Sequence, residues 1–91
     1  MSKKIIIYGS SECGPCMATK ALFDKEGIRY GFVDVLGGLA HLKKYLNVRD
    51  AHPELYEEIK AEHRVGIPTI VVDDTEIYVG EVTEDKLELF R

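Results

Sequence analysis

Residues 13–16 read Cys-Gly-Pro-Cys, and these are the only cysteines in the chain. A thiolate attacks disulfides, and two cysteines three positions apart on one helical face can close a disulfide of their own. Such a pair can carry two electrons reversibly. Zinc would require further soft or imidazole ligands. No other cysteine exists, and His41, His52 and His63 stand eleven residues apart rather than at the three-to-five-residue spacing of a zinc-binding His pair. A metal site would have to be assembled from distant parts of the chain. A purely structural disulfide is poorly motivated, because so short a loop constrains the unfolded chain little and a reducing compartment would keep the thiols open.

Reactivity depends on what holds the pair. Lys4 to Tyr8 (KIIIY) is a short, β-branched apolar run ended by Gly9, the pattern of a strand buried on both faces. From Cys13 to Glu26, Met17, Ala18, Ala21 and Leu22 recur at helical spacing, and Gly27 stands where a left-handed residue would end the helix. The cysteines therefore lie at a strand-to-helix junction. Free backbone N–H groups and the positive end of the dipole favour a thiolate at the outer position, Cys13. Cys16, one turn deeper, is expected to be more buried and less reactive. Pro15 falls in the first turn, where its missing N–H has no helical partner, and with Gly14 it forms the short stiff insert of the motif. These positions assign Cys13 as the attacking thiol and Cys16 as the resolving one. Glu12, next to Cys13, would oppose the thiolate if its carboxylate approached.

The remaining elements follow in order. Arg29 to Val35 (RYGFVDV) reads as a second strand, parallel to the first because a helix lies between them. After Gly37-Gly38, an apolar stripe of Leu39, Leu42, Tyr45 and Leu46 predicts a short helix that fades at Asn47. His52-Pro53 starts another, with Leu55, Tyr56 and Ile59 on its buried face. Thr69 to Val72 and Glu76 to Val79 form a hairpin about Asp73-Asp74. Thr83 is placed to cap a last helix, with Glu84 and Asp85 in its first turn and Val82 and Leu87 as a hydrophobic staple. The order β-α-β-α-α-β-β-α predicts one domain over residues 1–91: an α/β fold with a mixed four-stranded sheet and helices on both faces.

The chain has 91 residues, 45% hydrophobic and 31% charged, with a formal net charge of −4. One core is affordable at that length, and disorder is not the default. An acidic chain with scattered basic residues has no field to gather phosphates, so nucleic acid is not an expected partner. The opening MSKKIIIYGSSE has too short an apolar run for a signal peptide or a bilayer span, which predicts a cytoplasmic protein without a membrane role.

The motif after the first strand, together with Ile67-Pro68 opening the hairpin, resembles the thioredoxin superfamily, most closely small glutaredoxin-like proteins. CGPCMATKALFDKEGIRYGFVDV is similar to the family's active-site helix and second strand, and VGIPTIVVDDTEIYVG to its hairpin; only residues 36–64 are longer than usual. The resemblance implies a cis Pro68 beside the cysteines and a substrate backbone pairing with Ile67 and Gly66. Tyr8, near the end of the first strand, is a further candidate for contact with substrate, with a core role as the alternative. The CGPC form is typical of thioredoxins, yet Glu12 stands where they carry tryptophan and Ile7 where they carry a buried acid. Glutathione-using relatives carry a lysine where this chain has Ser10 and a Gly-Gly pair where it has Tyr78-Val79. Arg64, Lys60 and Lys43 are the remaining cations that could hold a carboxylate, and His63 is the histidine nearest in sequence to the Pro68 loop.

The combined reading is a small monomeric dithiol-disulfide oxidoreductase acting on protein disulfides, with no bound cofactor. Its electrons would come from glutathione or from a thioredoxin-reductase-type flavoenzyme, the flavoenzyme being favoured by the departures at Ser10, Tyr78 and Val79. An iron-sulfur or metal carrier bridging two copies through Cys13, and a non-catalytic redox sensor, are the alternatives.

Overall fold

The computed structural model describes residues 3–91. Its order is β1 (Ile5–Gly9), α1 (Gly14–Lys25), β2 (Gly31–Asp34), α2 (Leu39–Ala51), α3 (Pro53–Ala61), β3 (Thr69–Val72), β4 (Glu76–Val79) and a closing 3-10 helix (Glu84–Phe90). The sheet runs β2-β1-β3-β4, with β2 parallel to β1 and the other two pairings antiparallel. This is the thioredoxin-like glutaredoxin fold: an open mixed sheet of four strands with helices on both faces.

Strand alternation divides the core in two. Ile5 and Ile7 of β1 lie opposite Val72 and Ile70 of β3, and all four join Phe23 of α1 with Val82, Leu87 and Phe90. Val71, between Val72 and Ile70, and Tyr8, next after Ile7, belong to a second cluster with Val35 and Tyr45 of α2. Phe23 ties the first cluster together, its ring 5.2 Å from Phe90 and 5.8 Å from Tyr30. Fully burying a side chain of this size contributes about 1.5–3 kcal/mol, so the two clusters, rather than the exposed ion pairs, hold α1 and α2 to the sheet.

Helix ends follow local rules. At the end of α1, Gly27 has φ 69, and the N–H groups of Gly27 and Ile28 donate to Asp24 and Phe23, a Schellman closure. The same pair of bonds closes α3, where His63 takes φ 59 and Arg64 donates to Ile59. Asp73 and Asp74 both have positive φ in the hairpin turn, which aspartate tolerates better than most residues.

Three expectations need correction. The second strand begins at Gly31, not Arg29, because Tyr30 turns back to α1 and donates to Asp24 Oδ1 at 2.7 Å. The first middle helix does not fade at Asn47 but continues to Ala51, since half-buried Val48 extends its packing on the second cluster. The last helix is 3-10, not α. Thr83 makes no side-chain cap; its hydroxyl bonds the Asp85 carboxylate, and Lys86 N–H donates to Thr83 O in an i to i+3 pattern.

Candidate active site

β1 delivers the chain to Gly9, and a tight turn over residues 10–12 leads into α1. Ser10, buried, anchors that turn: its carbonyl accepts Cys13 N–H at 3.1 Å and its hydroxyl accepts Glu12 N–H at 3.1 Å. Cys13 is the N-cap residue, extended at φ −102 and ψ 114, and its Sγ accepts the backbone N–H of Cys16 at 3.2 Å. A sulfur thus occupies the place where a serine or aspartate oxygen usually caps a helix. Negative charge there meets free N–H groups and the positive end of the dipole, which favours the thiolate.

Cys16 is fully buried behind it, whereas Cys13 is half-exposed. The two Cα atoms are 5.2 Å apart and the sulfurs face each other at disulfide-forming distance. Gly14 and Pro15 are exposed on the first turn of α1. Close packing holds Cys16 in place. A Cβ added at Gly9 would lie 2.9 Å from Cys16 Sγ and 3.3 Å from the Phe32 ring, so only glycine lets β1 pass beneath this thiol.

Across from the pair runs the segment 65–68. The Ile67–Pro68 bond is cis, as the resemblance implies, and Ile67 O lies 3.9 Å from Cys13 Sγ. Pro68 is buried, Ile67 and Gly66 are half-buried, and Val65 is exposed. The structure therefore brings together Cys13, Cys16 and Ile67-Pro68.

Other candidates lie elsewhere. Tyr8 is buried with its ring 6.0 Å from that of Tyr45, in the second core cluster. Ile7 is fully buried, so an aliphatic side chain fills the position where thioredoxins keep an acid. Arg64 Nε pairs with Glu62 at 3.0 Å, and Lys43 and Lys60 are exposed. His63 is exposed, while His41 and His52 bond the carbonyls of Asp34 and Val48. Among the described residues no three metal-ligating side chains cluster. Tyr78 and Val79, at the positions where glutathione-using relatives carry a Gly-Gly pair, are strand residues and do not stand in a turn. Both lie within β4, opposite Ile70 and Thr69, Tyr78 packs on Phe90, and the turn begins at Gly80 with φ 107.

The glutaredoxin family model matches residues 5–77, a span containing the cysteine pair, the cis-proline segment and most of the hairpin. The chain belongs to the glutaredoxin family. It is similar to the crystal structure of the glutaredoxin from Methanosarcina mazei Go1, with a TM-score of 0.66 and 29% identity, covering 96% of this chain and 77% of that one. It is also 29% identical over 77 residues to an uncharacterized protein of Haemophilus influenzae, covering 85% of this chain and 87% of the other. A glutaredoxin of this build is a thiol oxidoreductase in general terms. No described helix is long and apolar enough to cross a membrane.

Sequence reasoning passed over several residues that build the site. Gly9 read only as a strand end and Ser10 only as a missing lysine. Tyr45, Tyr56 and Thr69 read only as core and strand residues, although their hydroxyls all meet at the cis-proline segment. An internal Thr19 in α1 gave no signal. Its hydroxyl donates to Pro15 O at 2.9 Å and accepts Val82 N–H at 3.0 Å, tying the cysteine-bearing helix to the segment after β4.

Proposed function

We propose that this glutaredoxin reduces disulfides in proteins, with Cys13 as nucleophile and Cys16 as resolving thiol. The observation that carries the reading is the asymmetry of the pair: Cys13 Sγ caps α1 and is half-exposed, while Cys16 is wholly buried behind it. Cys13 thiolate attacks one substrate sulfur. The substrate S–S bond breaks, and the departing thiolate takes a proton from water. Cys16 then attacks Cys13 Sγ, breaking the mixed disulfide, and the proton it gives up passes through water to the departing substrate thiolate. The substrate leaves as a dithiol, and the Cys13–Cys16 bond holds the two-electron oxidation. The Ile67 carbonyl lies where it can accept an N–H from an extended substrate segment during the exchange.

Regeneration belongs to a thioredoxin-reductase-type flavoenzyme rather than to glutathione. Glutathione carries two carboxylates, and Ser10 stands buried where glutathione-using relatives place a lysine, while Arg64 is paired with Glu62. Losing one charge-assisted contact of about 1.5–3 kcal/mol weakens capture on the order of ten- to a hundredfold. The protein would act as a monomer in the reducing cytoplasm, where the net direction is reduction. Pre-reduced protein mixed with a peptide containing one intramolecular disulfide tests the reading. Stoichiometric appearance of peptide dithiol and protein disulfide supports it, and no consumption of the peptide disulfide refutes it. The donor is decided by comparing reduction rates of the oxidised protein with glutathione and with the flavoenzyme.

A further inference from the structure

The enlarged region between β2 and β3 contributes two tyrosines whose hydroxyls end on the segment facing Cys13. Tyr45 of α2 and Tyr56 of α3 are both 0% exposed. Tyr45 Oη donates to Val65 O at 2.6 Å. Thr69 Oγ1 donates to Gly66 O at 2.7 Å, and Tyr56 Oη lies 2.7 Å from Thr69 Oγ1. A threonine hydroxyl has one proton. Because that proton goes to Gly66 O, Tyr56 must be the donor in its bond with Thr69. The chain of bonds therefore runs one way, from Tyr56 through Thr69 to Gly66.

Backbone contact is equally close. Gly66 has φ 94, and a Cβ there would stand 2.7 Å from Tyr45 Oη and 2.9 Å from Tyr56 Cε1. The two aromatic side chains thus form a floor on which the backbone at Gly66 rests, while the Tyr45 hydroxyl holds the carbonyl of Val65 directly and the Tyr56 hydroxyl, through Thr69 Oγ1, supports the bond to Gly66 O. The next carbonyl, Ile67 O, is the one 3.9 Å from Cys13 Sγ.

We propose that Tyr45 and Tyr56 are positioning residues for disulfide exchange, fixing the 65–67 backbone so that Ile67 meets a peptide substrate in register with Cys13. The inference rests on the dithiol reading of Cys13 and Cys16. It assigns the enlarged helical region a task at the active site: two helices brace the peptide-facing segment from below. Neither tyrosine touches the substrate. Each acts through the backbone it holds, so its loss should penalise substrates that use that backbone and spare those that do not.

Tyr45→Phe and Tyr56→Phe keep the rings and remove only the hydroxyls. Pre-reduced protein is mixed with a peptide disulfide and, separately, with bis(2-hydroxyethyl) disulfide, which has no amide groups. The readout is the ratio of the two second-order rate constants. Releasing a buried hydrogen bond to the segment should lower that ratio about three- to tenfold in each variant, because the peptide rate falls while the small-disulfide rate holds. Phe90→Leu, in the opposite core cluster, serves as a variant of reduced stability and should leave the ratio at the wild-type value. An unchanged ratio in both tyrosine variants, or an equal fall in Phe90→Leu, overturns the assignment. Failure of the wild-type protein to reduce either disulfide would instead refute the dithiol reading itself.

Discussion

Gly9→Ala should disturb the cysteine pair without touching either cysteine. The added Cβ would lie 2.9 Å from Cys16 Sγ, 3.1 Å from Cys16 Cβ and 3.3 Å from Phe32 Cε2. Real side chains do not tolerate the first of these distances, and β1 is fixed by pairing on both sides, at Asp34 of β2 and through its neighbour Tyr8 at Thr69 of β3. Cys16 must therefore move or Phe32 must yield. Overpacking of this kind costs about 1–3 kcal/mol. In a domain of this size each kcal/mol lowers Tm by roughly 4–8 °C, so a loss of at least several degrees is expected by calorimetry or circular dichroism. Gly14→Ala is the matched control, because a Cβ there meets nothing within 4 Å and its place in α1 suits alanine. It should leave Tm unchanged or slightly raised. The reasoning fails if Gly9→Ala is as stable as the wild type, or if Gly14→Ala loses as much.

Thr19→Val should cost about 1–3 kcal/mol in denaturant unfolding by leaving Val82 N–H buried without its acceptor, and Thr19→Ser should recover most of it. Burial, reinforced by the neighbouring Tyr56, pushes the Tyr45 hydroxyl up to about 12 from its ordinary 10.0. The folded protein then holds a proton that the unfolded chain releases. Stability is fully present below about pH 10 and falls as pH rises towards 12, by at most about 2–3 kcal/mol from this group. Unfolding measured from pH 9 to 12 should show that decline, and Tyr45→Phe should make it shallower. Lys4→Ala breaks an exposed ion pair with Asp74 and should change stability by less than about 1 kcal/mol.

Much of the fold was legible because its signals are local. The β-branched runs at Ile5–Ile7 and Thr69–Val72, the glycine closing α1 and the aspartate pair between β3 and β4 each specify their own geometry within a few residues. The cysteine pair was legible for the same reason, since both thiols lie within one turn of a helix start. What could not be read depends on distant partners. Tyr45 bonds a carbonyl 20 residues away, and Tyr56 a hydroxyl 13 residues away. Nothing in their types separates a braced loop from an ordinary core position. Tyr30 took the second strand's first residues through a hydroxyl bond to α1. Thr83 had the residue type of a cap, but a neighbouring carboxylate at Asp85 took its hydroxyl. Tyr78 and Val79 stand where glutathione-using relatives carry a Gly-Gly pair, yet the alternation of EIYV carries the strand through both, as the hairpin reading of Glu76 to Val79 expects.

The division of labour between the thiols is tested most directly by trapping. Reduced Cys16→Ser protein is mixed with a peptide disulfide, the products are resolved by mass, and the linked residue is mapped by proteolysis. A stable adduct joined through Cys13, formed at close to the wild-type initial rate and never released as free dithiol, is the expected result. Normal release of the reduced peptide by this variant, or an adduct that forms only in Cys13→Ser protein through Cys16, would contradict the account.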